Sequence, residues 1–109
     1  MQRVTLVRYV VKPDRAAENE ALSRTVFAEL RTRAPDKMAY ALFRNGAEFV
    51  HVFVNLAADD SAVLTELPSF KAYAKDITAR CETAPEVTRL GVELLESYGL
   101  STVARVEAE

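Results

Sequence analysis

The sequence predicts an α+β fold with the element order βαββαβ, in which two helices cover one face of a four-stranded antiparallel sheet. Three observations predict it. Two β-rich runs flank the dipeptide Asn45-Gly46, which is typical of a tight hairpin. A segment with helical periodicity follows the first strand-like run, and another follows the hairpin. With 109 residues, the chain has the length of one domain.

The first half of the chain predicts a strand and a long helix. Residues 4–11 are rich in β-branched and aromatic side chains, and they end at the turn Lys12-Pro13-Asp14. From residue 14 to residue 34 the apolar side chains recur at helical spacing, at Leu22, Val26, Phe27 and Leu30. Pro35 should end this helix, because the residue before a proline avoids helical angles.

The second half predicts the hairpin, the second helix and the last strand. The hairpin strands are residues 37–44 and 48–56. Residues 59–61 offer helix caps, and residues 62–67 allow a short helical turn. Pro68 suits the first position of a helix that should run to about Cys81, with Phe70, Ala74 and Ile77 on one apolar side. Residues 87–96 predict the fourth strand, which makes residues 1–98 the domain and residues 99–109 a polar tail.

Both faces of the predicted hairpin are apolar. With a two-residue loop, Arg44 lies opposite Ala47, and Tyr40 lies opposite His51. One face then carries Met38, Tyr40, Leu42, Phe49, His51, Phe53 and Asn55, and the other carries Ala39, Ala41, Phe43, Val50, Val52, Val54 and Leu56. Two helices cover only one face of such a sheet. We therefore expect a homodimer whose interface includes Val50, Val52 and Val54; the alternative is that the tail or a loop folds over this face.

Composition excludes several classes of protein. Half of the residues are hydrophobic, which is too many for a disordered chain, and no apolar run approaches the length of a membrane span. Fourteen basic and sixteen acidic residues give a net charge of −2, so we expect no nucleic-acid partner. One cysteine excludes an internal disulfide and a multi-cysteine zinc site. Because the first residues lack a signal-peptide pattern, we expect a cytoplasmic protein without a membrane partner.

A family resemblance rests on three motifs: the residues Val10-Val11-Lys12-Pro13 before the first helix, the hairpin, and residues 67–73 (LPSFKAY) at the second helix. With the twice-buried sheet, they resemble the ferredoxin-like dimeric α+β barrel superfamily over residues 3–98, and within it the antibiotic biosynthesis monooxygenase-like domains. The resemblance implies a homodimer that oxidises small aromatic, polyketide-like substrates without a cofactor. Many members carry a Phe, Glu and Trp pattern on the third strand and a His on the short helix. Here Phe49 matches the Phe, whereas Phe53, Asn55 and Leu64 occupy the other positions.

His51 is the only histidine and therefore the candidate catalytic base, because a neutral imidazole accepts a proton near pH 7. Tyr40 and Asn55 share its predicted face and are the candidate hydrogen-bonding catalytic groups. The candidate substrate-binding residues are Met38, Leu42, Phe49, Phe53 and Arg8. The alternative for His51 is an ordinary core histidine bonded to a tyrosine. Arg8 has two further alternatives: a solvated rim position, or an ion pair with Glu93.

No metal site is predicted, because one histidine and scattered carboxylates lack ligand spacing. Cys81 is expected to be a small core residue. Three functions remain open at this stage: a cofactor-free monooxygenase with His51 as its base, a dimer that binds a small apolar or aromatic molecule without turnover, and a purely structural dimer. Two carboxylates or a tryptophan on the pocket face would favour the first of them, and the sequence offers neither. The most useful observation is whether an open cavity lies beside His51.

Overall fold

The computed structural model of the chain describes residues 2–57 and 63–100. The predicted caps at residues 59–61 and most of the predicted tail therefore lie outside the described residues. No helix within the described residues is long and apolar enough to cross a membrane.

The sheet has four antiparallel strands in the spatial order β2-β3-β1-β4. The strands are β1 (Gln2–Val10), β2 (Met38–Asn45), β3 (Glu48–Asn55) and β4 (Glu86–Val92). The helices pack on one face, so the predicted ferredoxin-like βαββαβ architecture is confirmed. The two central strands, β1 and β3, supply most of the sheet's buried side chains.

The long helix α1 (Ala16–Arg33) follows a 3₁₀ turn at Pro13–Arg15. It ends as predicted, because Ala34 adopts a left-handed conformation with φ of 46° and Pro35 follows. Its buried side differs in part from the predicted one. Val26 is buried, but the other fully buried positions are Ala16, Asn19 and Ser23. Two polar residues therefore face the core at a helical spacing of four.

The second helical region consists of α2 (Val63–Glu66), α3 (Pro68–Lys75) and α4 (Ile77–Arg80). The predicted continuous helix from Pro68 to about Cys81 is thus wrong, since Asp76 leaves the helical conformation with φ of −120° and ψ of 25°. A helix end leaves carbonyls without partners. Arg80 turns inward and its Nη2 donates to the Tyr73 carbonyl at 2.6 Å. The predicted apolar side nevertheless packs into the core.

The hairpin register differs from the predicted one by two residues. The loop consists of Gly46 and Ala47, so Asn45 lies opposite Glu48, and Tyr40 lies opposite Phe53. Gly46 has φ of +61°, the conformation that a type II′ turn requires at its first loop position. Because side chains alternate with a period of two, this shift leaves each strand residue on its predicted face.

The face away from the helices is apolar and partly exposed. Its central rows pair Ala39, Val54, Val4 and Leu90, and then Ala41, Val52, Leu6 and Thr88. Phe43 is 59% exposed and Leu90 is 46% exposed on this face. Leu56 departs from the prediction, since it lies beyond the end of β3 and is buried within the chain. We call this surface the open face; Val50, Val52 and Val54 are half-buried on it.

Arg8 also lies on the open face. It forms an ion pair with Glu48 and lies opposite Glu86 in the sheet. β1 and β4 are neighbours as expected, but Glu93 lies beyond the end of β4, so the alternative of an Arg8–Glu93 ion pair is wrong. The predicted strand over residues 87–96 ends at Val92 because its partner, β1, begins at Gln2.

The turn glycine yields a stability prediction. A Cβ at Gly46 would meet no atom within 4 Å, so only backbone strain opposes a side chain there. Gly46→Ala should lower the free energy of unfolding by about 1 kcal/mol, since an L-residue is strained in the left-handed region. Urea denaturation measures the change. Gly46→Asn is the matched control and should lose less, because asparagine tolerates this conformation; equal stability of all three proteins would contradict the turn geometry.

Candidate functional site

A cavity of about 390 Å³ lies between the covered face of the sheet and the helices. This volume is within the range of small-molecule sites. All four strands and the three helices α2 to α4 contribute to it. Its lining residues are Arg3, Thr5, Val7, Tyr9, Tyr40, His51, Phe53, Asn55, Leu64, Thr65, Phe70, Tyr73, Ala74, Ile77, Pro85, Val87 and Arg89.

His51 is buried at one end of this cavity, and both of its ring nitrogens are bonded to tyrosines. The Tyr40 hydroxyl lies 2.5 Å from Nδ1, and the Tyr9 hydroxyl lies 2.7 Å from Nε2. The Tyr73 hydroxyl is 2.6 Å from that of Tyr9 and 3.2 Å from Nε2. We call Tyr40, His51, Tyr9 and Tyr73 the tyrosine–histidine chain. Through the imidazole, the Tyr40 hydroxyl is connected to the hydroxyls of Tyr9 and Tyr73.

Two fully buried residues, Asn19 on α1 and Arg80 on α4, hold the tyrosine–histidine chain in place. Arg80 Nε donates to the Asn19 side-chain oxygen at 3.0 Å. An arginine side chain has only donors, so this bond fixes the orientation of the Asn19 amide. Its nitrogen then donates to the Tyr9 hydroxyl at 3.0 Å. The Arg80 guanidinium also lies over the Tyr73 ring, at 5.4 Å from its centroid.

Burial controls the ionisation of the tyrosine–histidine chain. Removal from water lowers the pKa of His51 to about 4, so its imidazole is neutral at pH 7. Burial also raises the pKa of all three tyrosines, and the neighbouring Tyr9 adds to the rise at Tyr40 and Tyr73. At neutral pH the members of the chain are therefore uncharged phenols and an uncharged imidazole.

The neutral tyrosine–histidine chain holds one more donatable proton than it has hydrogen bonds between its members. The three hydroxyls and the imidazole carry four protons, but the chain from Tyr40 to Tyr73 contains three bonds. If His51 holds its proton on Nε2, Tyr40 donates to Nδ1, Nε2 donates to Tyr9, and Tyr9 donates to Tyr73. The Tyr73 O–H is then left over. With the proton on Nδ1 the directions reverse, and the Tyr40 O–H is left over.

The leftover O–H can face the cavity, because Tyr40 and Tyr73 both line it. Within the described residues, every buried side-chain nitrogen and oxygen has a hydrogen-bond partner, but no second acceptor serves either hydroxyl. A buried donor without an acceptor is unfavourable by about 1–3 kcal/mol. The cavity therefore favours a ligand or water that presents an acceptor atom to one of these tyrosines.

The structure brings together four of the predicted site residues and separates the others from them. Tyr40, His51, Phe53 and Asn55 line the cavity; Met38, Leu42, Phe49 and Arg8 do not. Leu42 and Phe49 instead line a second cavity of about 270 Å³ between α1 and β2. Phe49 is completely buried and stacks on Tyr9. Arg8 lies on the opposite face of the sheet.

Tyr9, Tyr73, Asn19 and Arg80 were not predicted as site residues. Strand alternation places Tyr9 on one face of β1, but no pattern in the sequence says that this face meets His51. Tyr73 and Asn19 lie on helices whose rotation depends on packing. Arg80 has no sequence signal at all, because a buried arginine is an exception to its usual exposure.

Cys81 is buried in the core cluster, and burial raises the pKa of its thiol. Among the described residues, no three histidine, cysteine, aspartate or glutamate side chains come close enough together to hold a metal ion. The acid–base groups of the cavity are therefore the phenols and the imidazole described above.

No protein-family model matches the sequence, and no curated protein matches it significantly. Solved structures do share the fold. Proteins from Nitrosomonas europaea and Caulobacter crescentus CB15, both provisionally named antibiotic biosynthesis monooxygenases, superpose with TM-scores of 0.68 and 0.69 at 18% and 21% identity. Each alignment covers 84% of this chain, and 89% and 91% of the respective proteins.

A third structure, of a Mycobacterium tuberculosis protein, superposes with a TM-score of 0.69 at 20% identity, over 89% of this chain and all of that protein. These likenesses establish the antibiotic biosynthesis monooxygenase-like fold for most of the chain. At such identities they establish the fold alone.

The burial of His51 predicts a pH-dependent stability. The histidine pKa is about 4 when folded against 6.5 ordinarily, so the unfolded chain binds more protons between these values. Stability should therefore be complete above pH 6.5 and fall as the pH approaches 4, by up to about 3 kcal/mol from this residue. Urea denaturation at pH 7 and pH 4.5 measures the loss. His51→Gln, which cannot titrate, is the control and should lose less on acidification; equal losses would contradict a buried neutral imidazole.

Proposed function

We propose that this protein is a cytoplasmic, homodimeric, cofactor-free monooxygenase that acts on small aromatic, polyketide-like substrates. One observation carries the proposal: an acid–base chain of three tyrosines and one histidine lines an apolar cavity large enough for such a molecule. The fold shared with structures that carry this enzyme name supports the choice among reactions that a neutral base could begin.

The tyrosine–histidine chain suits proton transfer from a substrate carbon next to a carbonyl. Both imidazole nitrogens are covered by hydroxyls, so the substrate meets a tyrosine first. The Tyr40 hydroxyl takes the substrate's proton as it gives its own to Nδ1, and Nε2 passes its proton to Tyr9. Tyr9 gives its own proton to Tyr73, and the Tyr73 hydroxyl releases a proton into the cavity, where the oxygen atom that leaves as water takes it up. A relay of this kind changes the tautomer of His51 without leaving a charge on it. Because the buried imidazole has a low pKa, His51 passes a proton on more readily than it remains a charged imidazolium.

Oxygen then reacts with the enolate that remains. The carbanion carbon transfers electrons to O₂ and forms a C–O bond, and the O–O bond breaks when a second proton leaves the carbon. A substrate methylene thus becomes a carbonyl, and the other oxygen atom leaves as water. The substrate supplies the electrons, so no cofactor enters the balance. The leftover O–H of Tyr40 or Tyr73 is placed to donate to the enolate oxygen.

A second candidate function is binding without turnover. It is favoured by the complete occupation of both His51 nitrogens and by the low pKa of His51, which make it a weak base. A protein of this kind would sequester or sense an aromatic molecule in the same cavity. The two functions differ in whether oxygen is consumed when the ligand binds.

Oxygen uptake with anthrone tests the enzyme proposal. His51→Ala should lower turnover by about 10²–10⁴-fold, because it breaks the relay between the two outer tyrosines. Asn55→Ala is the comparison, which lines the cavity but lies outside the relay, and it should lower turnover less. Turnover by the unchanged protein should be steady from pH 8 to pH 5 and decline toward pH 4, as the imidazole takes up a proton.

Melting temperatures with and without anthrone complete this experiment. A ligand that raises the melting temperature without oxygen uptake would establish the binding function and refute the enzyme. If no ligand shifts the melting temperature and His51→Ala chiefly destabilises the chain, His51 is a core residue and the structural function remains.

The homodimer is proposed from the open face. Leu6, Phe43 and Leu90 are 38%, 59% and 46% exposed there, although full burial of a side chain of this size contributes about 1.5–3 kcal/mol. The face has an apolar centre, with the Arg8–Glu48 ion pair and Glu86 toward one end. A second copy presents the same apolar surface and covers the face by twofold symmetry.

Light scattering tests the dimer, which should have about twice the 12.1 kDa mass of the chain at micromolar concentration. Val52→Glu should abolish the dimer or the folded state, because it places a charge in the centre of the interface. Ala28→Glu adds the same charge to the exposed side of α1 and should leave the dimer intact. A soluble, folded monomer of the unchanged chain would refute the proposal.

A further inference from the structure

Polar side chains line two parts of the cavity. One part is the tyrosine–histidine chain, and the other contains Arg3 and Thr5 on β1, Asn55 on β3 and Arg89 on β4. Tyr9 and Arg3 lie six residues apart on the same face of β1, which is about 20 Å along a strand, and Arg89 lies opposite Thr5 between them. Apolar residues, including Phe53, Val7 and Val87, line the space between the two parts.

The charged side chains that the structure describes along the cavity wall are all positive. Among its described lining residues, the charged and titratable groups are Arg3, Tyr9, Tyr40, His51, Tyr73 and Arg89, and no carboxylate is among them. The histidine and tyrosines are neutral at pH 7, whereas guanidinium groups are always charged. Arg89 therefore places a positive charge at one end of the described cavity wall.

Five arginines elsewhere in the described chain, Arg8, Arg15, Arg24, Arg33 and Arg44, form ion pairs with glutamates. Arg89, in contrast, makes no hydrogen bond or ion pair with any residue that the structure describes. A guanidinium at the wall of an apolar cavity without a protein carboxylate is suited to the carboxylate of a ligand, which it can bind through two parallel hydrogen bonds.

We propose that the ligand of this cavity is an aromatic carboxylate, held by its acid group at Arg89 and by its rings between the sheet and α3. The proposal rests on the proposed function, because it names the substrate class of the same cavity. The proposal also implies that uncharged analogues of an aromatic carboxylate bind to this cavity more weakly than the carboxylate does. A ring oxygen at the far end of the ligand would accept the leftover O–H of Tyr40 or Tyr73.

Two naphthalene probes of nearly equal shape test the charge requirement: 2-naphthoate and the uncharged 2-naphthamide. The chain contains no tryptophan, so naphthalene fluorescence anisotropy reports binding without a strong protein background. At low salt, 2-naphthoate should bind at least about tenfold more tightly than 2-naphthamide. Added salt should narrow the difference, because it screens an exposed guanidinium.

Matched arginine variants locate the effect. Arg89→Met keeps the apolar stem and should weaken 2-naphthoate binding about tenfold, while 2-naphthamide binding changes less than about twofold. The preference for the acid should therefore disappear in Arg89→Met. Arg31→Met, which removes an arginine that lines the second cavity, is the control and should change neither affinity. Melting temperatures confirm that each variant is folded.

Three results would overturn the proposal: equal affinity for the two probes, a preference that survives Arg89→Met, or no binding of either probe. None of these measurements involves turnover. Loss of oxygen uptake with an intact preference for 2-naphthoate would therefore refute the monooxygenase alone, and uptake of oxygen without the preference would refute only the aromatic carboxylate.

Discussion

The imidazole of His51 is bonded on both sides to tyrosine hydroxyls, and the covered side of the sheet is organised around this interaction. A buried imidazole needs a partner at each nitrogen, and here the partners come from β1 and β2. Tyr9 in turn requires Asn19 on α1 and Tyr73 on α3. Five separate elements, β1, β2, β3, α1 and α3, thus meet at one hydrogen-bond network, which fixes the helices on the sheet more specifically than apolar contact does.

This network also determines what the cavity can do. In its neutral state it has no charge to attract or repel a ligand, and its reactive property is a proton that can be left over at either end. Tyr40 and Tyr73 lie on opposite sides of His51, so a proton accepted at one tyrosine is released at the other. The charge that the cavity does carry lies at its other end, on Arg3 and Arg89. In the proposed function, the ligand is therefore oriented at one end of the cavity and exchanges protons at the other.

The open face follows from the same sheet. Side chains alternate between the two faces of β3. His51 therefore points toward the helices, and Val50, Val52 and Val54 lie on the open face. A strand cannot bury both sets with two helices on one face. The proposed dimer and the proposed ligand site are thus two consequences of one strand whose alternate residues are apolar on both sides.

By itself, the sequence determined the element order, the division of the hairpin into two faces, the core position of Cys81 and the common face of Tyr40, His51 and Asn55. These depend on periodicity and turn chemistry, which are local. The hairpin register was wrong by two residues because Asn45-Gly46 allows either Asn45 or Gly46 to begin the loop, and only the pairing of β3 with both β1 and β2 selects one alignment.

The tertiary structure alone decided which side chains meet Nε2 of His51 and which hold them in place. Tyr9, Asn19, Tyr73 and Arg80 are separated from it by 22 to 42 residues in sequence, and only the packing of the helices on the sheet brings them together. The helix break at Asp76 and the inward turn of Arg80 depend on that packing as well. Periodicity can be recognised in a single sequence because it is local. The partners of a buried polar group cannot, because they depend on how all the elements of the core pack together.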